Sequence, residues 1–338
     1  MCGFAGYLSN KIFNEKDILV NMVNKIHSRG PDSEGFWLDS NYGFAVGHKR
    51  LSILDLSKTG DQPILSKNNR YVLAFNGEIY NHLELRKILD KEENNYWNGS
   101  SDTETLIACI EFWGVEKTLK KINGMFAFAL WDRKEKNLTL VRDRIGEKPL
   151  YYGYINGSFV FGSQLKCFSD FPCWDKDLDP NALKLYFEYG YVPSPRSIFK
   201  DIFKLEPSQM ILIKKNNFEI NSKIKYWDLR NTINNAFIPQ NKDSLTIKEE
   251  LDFKLRKSVE SRMLSDVPLG AFLSGGIDSS LVVSLMHSIS PNSLKTFTIG
   301  FENKTYDETQ KAREISKILG TNHNEIIFEN QDIINLVY

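Results

Sequence analysis

The feature that most limits how this chain can fold is its start, where a cysteine precedes a short apolar segment. Residues 1–8 read MCGFAGYL, and the small Gly3 leaves space beside Cys2. Once Met1 is removed, Cys2 carries both a thiol and a free α-amine that titrates near ~8 and can accept the thiol proton. A cysteine near a terminus usually has no such role. The apolar run Gly3–Leu8, however, predicts a buried strand that would fix Cys2 in place.

Composition excludes several classes of protein. The 338 residues suggest about two domains, with 41% hydrophobic and 25% charged residues. Lys+Arg and Asp+Glu both number 43, so no overall basic field favours nucleic acid. The apolar runs are far shorter than the ~20 residues of a membrane helix, and the four cysteines show neither C-x-x-C spacing nor a secretory signal before them. We expect a reduced, cytoplasmic protein that binds neither nucleic acid nor membranes.

Two predicted strands in the first half end at polar residues suited to binding a substrate. Arg50 follows the strand Phe44–His48; it is either a surface cation or a group that binds a carboxylate through two parallel hydrogen bonds. Asn76 and Gly77 follow the strand Tyr71–Phe75. They form either a hairpin turn or a pair of N–H donors for a tetrahedral oxyanion.

A predicted helix start supplies an acidic group. In the segment SDTE, Ser101 is a candidate N-cap and Glu104 lies three residues later, which is the pattern of a capping box opening a helix to Trp113. We expect Ser101 or Asp102 to cap this helix while Asp102 faces a pocket. The helices at 14–26 and 104–113 alternate with many short strands, and with the first residue as nucleophile this pattern suggests an αββα sandwich.

Six segments now identify a family resemblance. The segments MCGFAG, SRGPD, GHKRLSI, FNGEIYN, SDTE and RDRIGEKPLYY occur in this order. They resemble the N-terminal-nucleophile glutamine amidotransferase domain, and more narrowly that of glutamine-hydrolysing asparagine synthetases. The resemblance implies that Cys2 attacks the glutamine side-chain amide, that Asn76 and Gly77 form the oxyanion hole, and that Arg50 binds the α-carboxylate. It further implies that the pocket includes Leu51, Ser52, Ile53, Leu54, Glu78 and Asp102, with Asp102 pairing with the substrate ammonium.

The expected amidotransferase domain spans residues 2–210, with a connector to about residue 242. A helix is predicted after Pro180, ending at Tyr189, and the segments Ile202–Leu205 and Gln209–Ile213 predict a strand pair or a loop and a strand. Residues 231–244 predict an exposed linker. Gln164 replaces the Glu that relatives usually carry, which puts a charge contact between domains in doubt.

The second half, residues 243–338, contains a strand, a glycine loop and a helix. Val267–Leu273 predicts the strand, the loop reads SGGIDSS over residues 274–280, and Leu281–Met286 predicts the helix. Backbone N–H groups and a helix N-terminus bind phosphate oxygens; the plain alternative is a capped glycine turn. The loop lacks the lysine of a kinase-type P-loop and resembles the pyrophosphate loop of ATP-pyrophosphatase domains.

That resemblance implies a site for ATP and Mg²⁺ in a doubly wound parallel sheet, with Lys295–Gly300 as the next strand and a helix over 308–319. The ATP-binding residues would be Leu273, Ser274, Gly275, Gly276, Asp278, Ser279 and Ile299. Leu273 and Ile299 would flank the adenine, and Asp278 would contact Mg²⁺ through the pyrophosphate. The family's synthetase domain is longer, so we expect this domain to be incomplete.

The expected reaction is the ATP-dependent synthesis of asparagine from aspartate and glutamine, with AMP and pyrophosphate as products. Two other functions stay open: amidation of a different carboxylate, such as a cell-surface sugar acid, and a regulatory homologue without turnover. A sugar-phosphate aminotransferase needs no ATP, so the pyrophosphate loop excludes it. The expected partners are the small-molecule substrates, and a homodimer is left open.

Overall fold

The computed structural model describes residues 2–10, 15–92, 97–214, 218–236, 243–290, 294–301 and 307–329. The chain divides into two compact units, residues 1–238 and residues 239–338. Nowhere in these described ranges does a helix have the length and apolar character needed to cross a bilayer.

Antiparallel strands dominate the first unit. Its strands are β1 (Gly3–Leu8), β2 (Ser33–Asp39), β3 (Phe44–Arg50), β4 (Ile64–Leu65), β5 (Tyr71–Ile79), β6 (Gly124–Asp132), β7 (Asn137–Arg142), β8 (Tyr151–Ile155), β9 (Ser158–Gly162), β10 (Ile202–Lys204), β11 (Gln209–Lys214) and β12 (Ile220–Lys225). Over the described residues they form one six-stranded sheet in the order β10-β8-β9-β1-β3-β2 and a second in the order β12-β11-β7-β6-β5-β4. The N-terminal strand β1 is therefore central in the first sheet, between β3 and β9.

Helices cover the outer faces of both sheets. They are α1 (Glu15–Asn24) on the first sheet, and α2 (His82–Glu92), α3 (Asp102–Trp113) and α4 (Val115–Lys121) on the second. Two further helices, α5 (Pro180–Tyr189) and α6 (Leu229–Ala236), are mostly exposed. Leu19 and Met22 of α1 share a buried cluster with Tyr7 of β1. Leu106 of α3 shares another with Phe75 of β5.

A third apolar core lies between the two sheets. Phe4 and Phe44 of the first sheet pack there with Ala74 and Trp131 of the second. The rings of Phe44 and Trp131 stack with centroids 4.6 Å apart. Each sheet therefore buries one face against the other sheet and one face against helices, which confirms the predicted αββα sandwich.

Two strand predictions need correction. β5 does not end at Phe75; it continues to Ile79, because Gly77 and Ile79 pair with Phe126 and Gly124 of β6. The segments near 202 and 209 are both strands, but they do not pair with each other: β10 joins β8 and β11 joins β7. The alternation of apolar and polar residues along the two segments did not reveal that the segments belong to different sheets.

The sequence boundary near residue 210 falls inside β11, and the second sheet continues through β12 to Lys225. Much of the expected connector is therefore part of the sandwich. The exposed linker predicted over 231–244 is partly helical, since α6 covers residues 229–236. Residues 237–242 of that linker lie outside the described residues.

The second unit contains a parallel sheet. Its elements are α7 (Ser244–Ser261), β13 (Gly270–Phe272), α8 (Ile277–Ile289), β14 (Lys295–Phe301), α9 (Thr309–Leu319) and β15 (Asn322–Phe328). The described strands lie in the order β13-β14-β15, all parallel, and α8 and α9 form the crossovers. β13 is shorter than the segment predicted from Val267, since Pro268 has no N–H to donate to a strand ladder. The α/β organisation is as predicted.

Candidate active site

A cavity of about 210 Å³ lies next to the start of β1 and gathers the predicted glutamine-site residues. It is lined by Cys2, Arg50, Leu51, Ile53, Leu54, Asn76, Gly77, Glu78 and Asp102, together with seven residues that were not predicted. Ser52 is the predicted residue missing from this lining; its backbone N–H donates to Asp32 Oδ2 at 2.8 Å. The predicted residues come from four separate segments of the first unit, which converge on one cavity.

The Cys2 thiol lies against the loop that follows β3. Its Sγ is 3.3 Å from the donating N–H nitrogen of Leu51 and 3.5 Å from the carbonyl oxygen of the same residue. Burial raises the pKa of the Cys2 thiol, and the Leu51 N–H opposes this rise. The thiol is therefore protonated at neutral pH, and a base must remove its proton before it can act as a nucleophile.

The Cys2 backbone is held by two side chains from other elements. Arg29 Nε donates to the Cys2 carbonyl oxygen at 2.9 Å. With its amide oriented to satisfy both of its atoms, Asn76 donates through Nδ2 to the same oxygen at 3.0 Å and accepts from Arg29 Nη2 at 3.3 Å. Cys2 is thus held in place by β5 and by the segment SRGPD, in which no individual role was predicted for Arg29.

Arg50 emerges from the end of β3 into the cavity, but its guanidinium is directed at the loop that follows. Nη1 donates to Ser57 O at 2.8 Å and to Asp61 Oδ1 at 3.0 Å. Nη2 donates to Leu54 O at 3.4 Å and to Asp55 O. The predicted two-bond contact with a substrate carboxylate therefore requires at least one of these partners to be exchanged. Asp61, whose side chain is 43% exposed, is the least costly partner to displace.

Asp102 occupies the first turn of α3, with its carboxylate buried in the cavity wall. Ser101 caps the helix by accepting from Glu104 N at 3.2 Å, as predicted. The Glu104 carboxylate does not return the bond; it accepts from Asn98 N and Gly99 N instead. Because Ser101 caps the helix, the Asp102 carboxylate can face the cavity, where its Oδ2 accepts from Ile79 N at 2.8 Å.

The Asp102 carboxyl is tuned to titrate near neutral pH. Burial raises its pKa to about 7, and the negative charge of Glu78 adds to the rise, while the Ile79 N–H opposes it. A buried carboxylate of this kind is stabilised when a cation binds beside it. The cavity thus places a latent anion, Asp102, and a buried cation, Arg50, in the same wall.

Sequence reasoning missed Lys148, which also lines the cavity and is buried. Burial lowers the pKa of its ammonium group, and the charge of Glu78 opposes that change. The residue lies within the segment RDRIGEKPLYY, which contributed to the resemblance without any single position being assigned a role. A lysine placed immediately before a proline and a buried strand was the available signal.

In the second unit, the predicted phosphate loop adopts the expected strand–loop–helix order. Gly275 has φ +77°, a left-handed conformation that favours glycine. The Ser274 and Ser279 hydroxyls are 2.9 Å apart, and Gly276 is the N-cap of α8. The helix starts at Ile277, earlier than predicted, so Asp278 and Ser279 lie in its first turn. Backbone N–H groups at this end of a 13-residue helix suit an anionic ligand.

The two predicted adenine residues differ in accessibility. Leu273 is only 1% exposed and its side chain belongs to the core of the second unit, so its place beside the adenine stays a prediction. Its backbone N–H already donates to Phe297 O at 2.9 Å. Ile299 on β14 is 45% exposed and remains available. Among the residues described, no group of three or more His, Cys, Asp or Glu side chains could hold a metal ion.

Comparison with known proteins agrees with this geometry. Residues 1–227 match the glutamine amidotransferase domain family, and residues 250–338 match the asparagine synthase family. The chain belongs to the glutamine-hydrolysing asparagine synthetase family. A relative from Methanocaldococcus jannaschii, provisionally named asparagine synthetase 2 (glutamine-hydrolyzing), is 36% identical over 100% of this chain. Asparagine synthetase 1 (glutamine-hydrolyzing) of Bacillus subtilis is 35% identical over 99% of this chain.

The chain of this family member spans 67% of the first relative's length and 51% of the second's. A solved structure described as the allosteric regulatory enzyme of purine biosynthesis has a TM-score of 0.51 over 96% of this chain and 80% of its own. Its identity is 14%, so it supports the fold alone.

Proposed function

We propose that this chain hydrolyses glutamine at Cys2 and supplies the ammonia to an ATP-dependent conversion of aspartate to asparagine. The observation that carries the proposal is the single cavity in which the Cys2 thiol, the Arg50 guanidinium, the Asn76 amide and the Asp102 carboxylate meet. The match of residues 250–338 to the asparagine synthase family, beside the amidotransferase match of residues 1–227, supports the ATP-dependent second step.

The cavity offers matched groups for a zwitterionic amino acid. A substrate α-carboxylate would bind to Arg50 after displacing Asp61, and the α-ammonium would pair with Asp102. Each buried charge on the protein is costly without a partner, so a ligand that carries both opposite charges is favoured over one that carries a single charge. Leu51, Ile53 and Leu54 line the same cavity and would contact the apolar part of the substrate.

The chemistry at Cys2 proceeds in two balanced stages. The α-amine of a mature Cys2 accepts the thiol proton as sulfur attacks the side-chain amide carbon, and the same proton leaves with ammonia when the C–N bond breaks. Water then gives one proton to the α-amine as its oxygen attacks the thioester carbon; the C–S bond breaks to release glutamate, and the proton returns to the Cys2 sulfur. An amide NH₂ carries two donors, so Asn76 can hold the Cys2 carbonyl with one N–H and the developing oxyanion with the other, beside the Gly77 N–H.

The second unit would bind ATP at residues 274–279, with the pyrophosphate on the N-terminus of α8. The donor set fits a phosphate chain: backbone N–H groups, the hydroxyls of Ser274 and Ser279, and a glycine with φ +77°. Mg²⁺ would neutralise the phosphates between them and the exposed carboxylate of Asp278. In this proposal the chain consists of an amidotransferase part and, from residue 243, a synthetase part. Both parts act on small molecules, and the protein works in the cytoplasm.

Replacing Cys2 tests the proposal in the full chain. A Cys2→Ala enzyme should lose glutamine hydrolysis and glutamine-dependent synthesis, and keep synthesis of asparagine, AMP and pyrophosphate from added ammonium salt. Release of glutamate is measured with glutamine, and release of pyrophosphate with ammonium and aspartate. Glutaminase activity that survives in Cys2→Ala contradicts the assignment of the nucleophile.

The acceptor is tested separately. Pyrophosphate release by the complete, unaltered enzyme should be fastest with aspartate in a panel that includes other carboxylic acids, among them sugar acids. A faster rate with a sugar acid would support the alternative amidotransferase function instead.

A further inference from the structure

We propose that Asp55 is a positioning residue that locks together the two chain segments that bind glutamine, residues 50–61 and residues 97–102. The inference rests on the proposed glutaminase function and deepens it. Asp55 itself is not among the residues that line the cavity. It acts through the segments that carry Arg50, Leu51 and Asp102.

The Asp55 carboxylate bonds to both segments at once. Its Oδ1 accepts from Ser57 N at 3.1 Å and from Ser57 Oγ at 2.6 Å. Its Oδ2 accepts from Thr59 Oγ1 at 2.7 Å and, across the gap between the segments, from Ser100 N at 2.9 Å. Asp55 is 6% exposed, so water has little access to its carboxylate and a lost partner cannot be cheaply replaced.

On the first segment, these bonds fix the carbonyl groups that orient Arg50. The guanidinium donates to the backbone oxygens of Asp55 and Ser57, the same two residues that the Asp55 carboxylate ties into a tight turn. The same segment contains Leu51, which contacts the Cys2 thiol through its N–H and its carbonyl. The position of the substrate-binding cation therefore depends on the Asp55 carboxylate.

On the second segment, Ser100 is two residues before Asp102. The segment is also braced from its other side, because Arg86 donates to Gly99 O at 2.8 Å and to Ser101 O at 2.7 Å. Arg86 holds this segment to α2, whereas Asp55 is the residue that holds it to the Arg50 loop. The spacing between the groups proposed to bind the α-carboxylate and the α-ammonium is thus set by one buried carboxylate.

The backbone of Asp55 identifies the right substitution for a test. Its φ of +57° lies in the left-handed region, which Asn and Asp tolerate better than other residues with a side chain. Asp55→Asn therefore keeps the turn and the volume while replacing one accepting oxygen by a donor. An alanine at this position would add backbone strain and would not isolate the carboxylate.

Asp55 is ionised at any working pH. Burial acts to raise its pKa, but the hydrogen bonds from Ser57, Thr59 and Ser100 dominate and hold it at about 2. The hydrogen bonds to the Asp55 carboxylate should therefore be the same from pH 5 to 9. Their effect on glutamine binding can thus be distinguished from that of the titration of Asp102.

The experiment measures glutamine binding in full-length Cys2→Ala and in Cys2→Ala with Asp55→Asn. Hydrogen bonds to a charged group correspond to about tenfold to a hundredfold in an equilibrium constant, so we expect the Kd for glutamine to rise by about that factor. In the Cys2-containing enzyme, Asp55→Asn should raise KM for glutamine by a similar factor and change kcat less. Ammonium-dependent synthesis should not change.

Ser100 supplies a matched pair that does not touch Asp55 itself. Ser100→Pro removes the N–H that bonds across the gap, and Ser100→Ala retains it. Ser100→Pro should raise KM as Asp55→Asn does, while Ser100→Ala should match the unaltered enzyme. An unchanged Kd and KM in Asp55→Asn, or equal effects of both Ser100 variants, would overturn the proposal. If the unaltered chain released no glutamate from glutamine, the proposed function would fail instead.

Discussion

At the residue scale, Asp102 is the group whose chemistry depends most on its surroundings. The sequence placed it beside a helix cap, and the family resemblance implied its role toward the substrate ammonium. Neither could reveal that burial and the neighbouring Glu78 raise its pKa to about 7. Burial depends on β5 continuing past Asn76 and on α3 packing against it, and both are tertiary facts.

We expect the pKa of Asp102 to appear in the pH dependence of glutamine binding. In the free enzyme the carboxyl is charged above about pH 7, and only the charged form pairs with the α-ammonium of glutamine. KM for glutamine should therefore rise as pH falls through about 7, by up to about tenfold for each pH unit below it. Glutamate release measured from pH 5.5 to 8.5 gives the profile.

Asp102→Asn is the control for this profile. It keeps an oxygen to accept from Ile79 N, cannot ionise, and should show a high KM that is independent of pH in this range. If Asp102→Asn and the unaltered enzyme show the same pH profile of KM, another group controls binding.

At the element scale, many strands and helices were readable from hydrophobic patterns, whereas pairing and the elements β2, β12, β15, α2, α4 and α6 were not predicted. Asn76-Gly77 looked like a turn because these residues favour turns locally. In the folded chain, pairing with β6 keeps the segment extended to Ile79. Likewise, β10 and β11 are close in sequence but lie in opposite sheets, because each strand is selected by distant partners rather than by its own pattern.

One buried histidine links the two sheets just below the cavity. His48 on β3 is fully buried, and its Nε2 lies 2.9 Å from the carbonyl oxygen of Phe75 on β5. Phe75 immediately precedes Asn76. Burial lowers the pKa of His48 to about 4, although the bond to Phe75 acts to raise it. The ring is therefore neutral and donates this hydrogen bond at neutral pH.

This bond predicts a loss of stability in mild acid. The unfolded chain protonates His48 below about pH 6.5, while the folded unit resists protonation until about pH 4. Folding stability from this residue is fully present above about 6.5 and falls as pH decreases toward 4, by about 3 kcal/mol in total. The decline should appear in thermal unfolding of the first unit at pH values from 4.5 to 7.5. Unfolding is monitored through the loss of glutaminase activity.

His48→Gln is the matched variant, since its amide can donate to Phe75 O but does not titrate. Its unfolding temperature should depend less on pH than that of the unaltered chain. Parallel curves for the two proteins would mean that other groups cause the acid sensitivity.

At the scale of the whole molecule, the chain carries two sites in two units that fold around separate cores. Sequence motifs predicted both candidate sites because each motif is a short run of residues, although the Cys2 cavity gathers several such runs from distant parts of the chain. The surroundings of Cys2 were harder to predict in full, since Lys148 lines the cavity and Arg29 bonds to the Cys2 carbonyl oxygen, and neither residue had been assigned a role within its segment. The burial of Leu273 was also invisible, because an apolar residue at a strand end can face either a ligand or a core.

If the two sites work as proposed, a change in the glycine loop should separate their activities. At Gly275, φ is +77° and an added Cβ would lie 2.6 Å from the Cβ of Lys311 on α9, so Gly275→Ala must displace the loop. We expect pyrophosphate release and asparagine synthesis to fall by about tenfold or more, with either ammonium or glutamine as nitrogen source.

Gly320→Ala is the matched control, because φ there is +71° and nothing lies within 4 Å of an added Cβ. It imposes similar backbone strain without touching the loop, and synthesis should persist. Glutamate release at Cys2 should continue in both variants, since the cavity is built from the first unit alone. Loss of glutaminase activity in Gly275→Ala but not in Gly320→Ala would show that the loop controls the Cys2 site, contrary to this prediction.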